Sequence, residues 1–179
     1  MSVFFTVGGE LVFLLVIWAL KKRERQDTFR RICVMIMTVY IVGVLYITVG
    51  TRSFDPEVEI NLIPLKSYFV MVLGVFTNLL KGEWAMAWQQ VKWISYPTWS
   101  CLALNILLFV PYGIMMPQIA ERLDNTCKLV IAAALFSLVM EVIQLLTKRG
   151  WFDVDDIINN ALGAWIGIRL QKKFLSDEI

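Results

Sequence analysis

The stretch EVIQLLTKRGWFDVDDIINNALG, residues 141–163, places Glu141, Gln144, Arg149, Asp153, Asp155, Asp156, Asn159 and Asn160 between two apolar runs. Ionisable groups in or beside a membrane span are costly and usually face a bundle interior or a wet cavity. Asp153, Asp156, Asn160 and Gly163 are spaced i, i+3, i+7, i+10, one face of a helix that begins near Asp153. Glu141 and Gln144 lie one turn apart and point the same way. Three chemistries suit this set. Arg52 and Arg149 can grip a phosphate or carboxylate through planar, forked hydrogen bonds. The amides of Asn61, Asn105, Gln144 and Asn160 would then orient the bound group, and the acids would orient the arginines or meet cations. Alternatively, Glu141 is a candidate catalytic general base, with Asp153 and Asp156 as weak candidates for Mg²⁺ oxygen ligands. In the third reading the polar groups only hold helices together. Asp153 is then an N-cap, the other acids are first-turn charges, and Glu141 forms a salt bridge with Arg149 or Arg52.

Histidine is absent. That removes Ser-His and Cys-His catalysis, His-ligated zinc and the usual neutral-pH proton shuttle. Cys33, Cys101 and Cys127 are odd in number and widely spaced, which suits apolar packing better than a disulfide framework or thiolate metal site. No cofactor is expected. A net charge of +2 is too small to suggest a nucleic-acid partner.

These residues need elements to position them, and the composition says which. The 179-residue chain is 58% hydrophobic and 18% charged, against roughly half and about a quarter in soluble domains. The excess lies in long runs, so the expected fold is an all-α integral membrane helical bundle whose lipid partner is the bilayer. A span needs about 20 residues. Runs at 3–20, 32–50, 101–116, 129–146 and 157–170 make about five transmembrane helices. The first run lacks a basic leader, so it is expected to stay as a span. It contains Glu10, either solvated near the outer interface or adding an acid to the same cluster. Residues 69–80 are apolar but short, and 83–99 carry four tryptophans with Trp84, Trp88 and Val91 on one face. That pattern suits an interfacial or re-entrant helical segment more than a full crossing. Pro111 and Gly113 predict a kink, and Gly163 with Gly167 predict a close helix–helix contact.

The charges orient the bundle. The loop 21–31, the loop after the third span and the C-terminal tail together hold 11 Lys/Arg, against six on the other side. The positive-inside rule then puts the N-terminus outside and the C-terminus in the cytoplasm. Segments 51–67 and 148–156 and the Asn105 end of the third span share the outer face.

Taken in order, Arg52, NLIPL (61–65), NILLFVPYG (105–113), EVIQ (141–144) and RGWFDVDDIINNALG (149–163) resemble the VanZ-like family of membrane proteins. The specific part is Glu-x-x-Gln followed by Arg-x-x-x-Asp-x-x-Asp-x-x-x-Asn-x-x-Gly. The resemblance covers most of the chain after the first span. It implies a single VanZ-like transmembrane domain over 1–179, motif-bearing from about 52 to 170, in a bacterial cell membrane. The family's namesake is associated with low-level resistance to teicoplanin, a glycopeptide antibiotic with a lipid tail. The implied function is an outer-facing pocket of Arg52, Asn61, Asn105, Glu141, Gln144, Arg149, Asp153, Asp156 and Asn160. That pocket would engage an envelope lipid, a lipid-linked cell-wall precursor or a lipoglycopeptide. Two rivals remain: a membrane enzyme modifying a lipid headgroup, and a structural or interaction protein without a ligand site. Tyr112 and Trp151 are assigned no role.

Overall fold

The computed structural model describes residues 2–57 and 59–175. Six α-helices follow in chain order: α1 (Ser2–Arg23), α2 (Gln26–Leu45), α3 (Lys66–Leu80), α4 (Trp84–Ile119), α5 (Thr126–Thr147) and α6 (Val154–Phe174). A π-helical turn, Tyr46–Gly50, extends α2, and a 3₁₀ turn, Glu121–Leu123, precedes α5. Two short strands, β1 (Ile60–Asn61) and β2 (Phe152–Asp153), pair in parallel.

The other helices gather on α4. At 36 residues it is about 54 Å long, well over the ~30 Å of a hydrocarbon layer. This corrects the expectation that the segment at 83–99 is a helical piece separate from the span at 101–116. The two are one helix, which passes Pro97, Pro111 and Pro117 without a break. Proline removes one helical hydrogen bond and crowds the preceding turn, but packed neighbours in a bundle can absorb that loss. Gly82, at φ 73°, turns the chain between α3 and α4. α3 then lies back along the first part of α4, where Asn78 Nδ2 donates to Gln90 Oε1 at 2.8 Å.

α6 makes the most extensive contact with α4, and glycine is what lets it. A β-carbon on Gly163 would overlap the Ile106 carbonyl. One on Gly167 would overlap the Val110 carbonyl, and one on Gly113 the Ala164 carbonyl. Gly163 and Gly167 therefore form the expected close contact. Gly113, expected to mark a kink, is the small residue facing them. Phe109, Tyr112 and Met115 of α4 build the core with Leu129, Ala133 and Met140 of α5, Ala164 and Ile168 of α6, and Met37 and Val44 of α2. A second cluster of Ile17, Phe29, Cys33, Val110, Ile114 and Leu175 seats α1. Cys33 is buried, whereas Cys101 and Cys127 are exposed. Glu10 is half-buried beside Tyr40, and its Oε2 has no hydrogen-bond partner among the described residues. It does not line the polar cleft described below.

The outer surface is apolar where it should meet lipid. Val39 of α2 and Leu146 of α5 are 73% and 77% exposed, an unusual surface for a protein in water. Gln26–Gly50, Cys101–Ile119 and Thr126–Thr147 are long and apolar enough to cross a membrane, fewer than the five crossings expected. α1 and α6, of 22 and 21 residues, are not among them over the described residues. In α6 the reason is visible: Asp155, Asn159, Asn160 and Gln171 lower its hydropathy, but all four are buried against neighbours.

α5 begins with an N-cap. Asn125 Oδ1 accepts from the amides of Cys127 (2.9 Å) and Lys128 (3.2 Å). Asn125→Ala is expected to cost about 1 kcal/mol and to lower the melting temperature in detergent micelles by about 2–4 °C.

Candidate functional site

The polar residues converge where α5 ends and α6 begins. Lys148 takes a left-handed conformation (φ 52°), so the chain doubles back and the Arg149 amide reaches the Gln144 carbonyl at 3.0 Å. The next residues run extended as β2 beside β1, with Asn61 opposite Asp153. Two further backbone bonds, Phe152 N to Glu59 O (3.1 Å) and Asp55 N to Lys148 O (2.8 Å), tie the 51–61 segment to this turn.

Asp153 then caps α6, its Oδ1 accepting from the Asp155 amide at 2.9 Å. The Asp153 amide donates to Glu141 Oε2 at 3.0 Å, and Asn61 Nδ2 donates to Asp153 Oδ1 at 3.1 Å. Asn105 Nδ2 donates to Asp156 Oδ1, joining α4 to α6. Arg52 Nη1 donates to Gln144 Oε1 at 3.2 Å. Arg149 Nη1 donates to the carbonyls of Gly50 (3.3 Å), the last residue of the π-helical turn, and Arg52 (3.4 Å), just beyond it. Glu141 therefore does not use an arginine as its hydrogen-bond partner. A backbone amide takes that place.

An open cleft of about 550 Å³ lies over this network, and Arg52, Arg149, Asp153, Asp156, Asp55 and Trp151 are among its walls. The nine residues named from the sequence thus divide by position. Arg52, Arg149, Asp153 and Asp156 face the cleft. Asn61, Asn105, Glu141 and Gln144 each hold one wall group or its backbone from behind. Asn160 sits deeper, where its Nδ2 donates to Ser137 Oγ at 2.7 Å and links α6 to α5. Glu141 and Gln144 are each only 2% exposed, and neither is among the cleft walls. That leaves Glu141 poorly placed to take a proton from a bound molecule. Asp153 and Asp156 have no third ligand beside them: among the described residues, no group of three or more His, Cys, Asp or Glu side chains could hold a metal ion.

Two contributors had no clear signal in the sequence. Asp155 is 5% exposed, and its Oδ1 accepts from the Leu65 amide at 2.7 Å. Leu65 is left-handed (φ 61°) and starts α3. Asp155 therefore fixes where the α3–α4 hairpin leaves the bundle. Spacing put Asp153 and Asp156 on one face and left Asp155 looking like a first-turn charge. Gly150 provides room: a β-carbon there would lie 2.5 Å from Arg52 Nη1 and 2.8 Å from Gln144 Oε1.

A family model described as VanZ/LLP1 matches residues 31–175. The chain belongs to the VanZ/LLP1 family. Its matched region contains the whole cleft and all of α4, α5 and α6. The chain is also 29% identical over 66 residues to Protein VanZ of Enterococcus faecium, 37% of this chain and 40% of that protein. The match thus spans less than half the length of that relative. No solved structure matches.

Proposed function

We propose that this VanZ/LLP1-family protein binds a headgroup in the cleft between the α5–α6 turn and the 51–65 segment. The headgroup belongs to an envelope lipid, a lipid-linked wall precursor or a lipoglycopeptide, and binding gives low-level protection against teicoplanin. One observation carries the reading. Arg52, Asp153 and Asp156 each have a dedicated side-chain partner in Gln144, Asn61 and Asn105, so the cleft walls are held in place before any ligand arrives. Such preorganisation lowers the ordering cost of binding. The basic loop 21–31 lies at the Pro117 end of α4, which also lines a cavity with Lys21 and Arg30. Cys101 at the cleft is about 24 Å away along the helix. With the basic end in the cytoplasm, the cleft faces outward and the N-terminus is outside.

The test is expression of the wild type, Arg52→Ala and Leu146→Ala in a susceptible Gram-positive host, reading teicoplanin susceptibility and membrane protein level from the same cultures. Arg52→Ala is expected to lose protection at a normal protein level, and the lipid-facing Leu146→Ala to keep it. Parallel loss of protection and protein in Arg52→Ala would favour a structural network. No protection by the wild type would refute the resistance part of the reading.

A further inference from the structure

The charges of the cleft narrow the class of headgroup, on the reading just given. Two guanidinium groups, Arg52 and Arg149, face three carboxylates, Asp55, Asp153 and Asp156. Behind them lie Glu141 and Asp155, both buried. Arg52 lies within electrostatic range of both Glu141 and Asp156, so its charge is already shared. The arginine donors are also partly committed, Arg52 to Gln144 and Arg149 to two backbone carbonyls. The carboxylates are less committed. Asp153 and Asp156 accept their side-chain hydrogen bonds through Oδ1, and Oδ2 of each is uncommitted among the described residues. Asp155 Oδ2 is buried with no hydrogen-bond partner among them. A purely anionic headgroup would enter a site with more negative than positive charge and meet net repulsion. Trp151, on the cleft wall and 53% exposed, offers the π-face that attracts an ammonium group.

We infer that the cleft selects a headgroup bearing an ammonium group together with an anionic group, over a headgroup that is anionic alone. The arginines take the phosphodiester or carboxylate. Asp156 and Asp153 take the ammonium through charge-assisted hydrogen bonds, with Asp55 adding negative charge on the cleft wall and Trp151 beside it.

The test titrates the full chain, purified in detergent, with three probes: dihexanoyl-phosphatidylethanolamine, dihexanoyl-phosphatidylglycerol and water-soluble O-phosphoethanolamine. The ethanolamine lipid is expected to bind about tenfold more tightly than the glycerol lipid, the worth of one charge-assisted hydrogen bond. Asp156→Asn is expected to bring that preference close to one. Asp55→Asn, in the loop before β1, makes the same test where Asp156→Asn fails to fold. Binding of O-phosphoethanolamine together with preference for the ethanolamine lipid supports the inference with a free headgroup as a source. Selectivity confined to the lipid supports it with the membrane as the source. Equal or tighter binding of the glycerol lipid overturns the inference and leaves the headgroup-binding reading standing. No binding of any probe overturns the inference, while the headgroup-binding reading stands or falls with the Arg52→Ala susceptibility assay.

Discussion

Gly163→Ala is expected to destabilise the protein by about 3 kcal/mol, the upper part of the usual range for overpacking. A single methyl group does this because of what it meets. The added carbon would fall on the backbone carbonyl of Ile106, and backbone within a packed helix cannot rotate aside as a side chain can. α4 and α6 would have to move apart, and Gly167, one turn further along α6, and Gly113, which faces it from α4, would lose their close contacts too. Small residues at such seams are what allow helices in lipid to approach closely. For a chain of this length the loss corresponds to a melting temperature about 6–12 °C lower in detergent micelles. Gly43→Ala is the control, because nothing lies within 4 Å of a β-carbon there, and alanine is the better helix former. It should melt at or above the wild-type temperature. A Gly163→Ala protein that melts with the wild type would contradict the α4–α6 seam as described.

The second large effect is a contrast at Glu141. The side chain is 2% exposed, and its Oε2 accepts the Asp153 amide at 3.0 Å. Glu141→Ala removes that acceptor, strands a polar amide and opens a void, together costing about 2–4 kcal/mol. Glu141→Gln keeps an amide oxygen of nearly the same reach and should cost less than about 1 kcal/mol. Thermal unfolding of the two variants separates the two roles the group could have. If Gln matches wild type and Ala does not, Glu141 serves chiefly as the acceptor that seats Asp153 at the cleft. If Gln falls as far as Ala, the negative charge near Arg52 is what matters. Where Gln matches wild type in stability, teicoplanin susceptibility of cells carrying it reports on the charge without a confounding loss of protein.

Much of this protein is legible in its sequence for one physical reason. A helix in lipid must satisfy its own backbone and show apolar side chains over about 20 residues. The long apolar stretches that became α2 with its π-turn, the second half of α4, and α5 therefore announce themselves, and with them the all-α membrane bundle. The motif order led to the VanZ-like family, which the family comparison shows. Helical spacing also put Glu141 with Gln144, and Asp153 with Asp156, on shared faces. The α5–α6 turn and its Asp153 N-cap follow from local chain chemistry alone.

Other features depended on distant parts of the chain. Local pattern breaks at Gln89, Gln90, Lys92 and Pro97, so α4 reads as two pieces. Its continuity goes with α3 lying alongside. Gly113 next to Pro111 suggests a kink, and only the position of α6 shows that it makes space. Asp155 and Asp156 are neighbours of identical chemistry, and which of them turns inward was set by where Leu65 presents its amide. Arg149 and Glu141 look like an ion pair by charge, yet each found backbone: the carbonyls of Gly50 and Arg52, and the amide of Asp153. Backbone groups are the same at every position of a sequence. Which of them lies within reach of a side chain is therefore decided by tertiary structure.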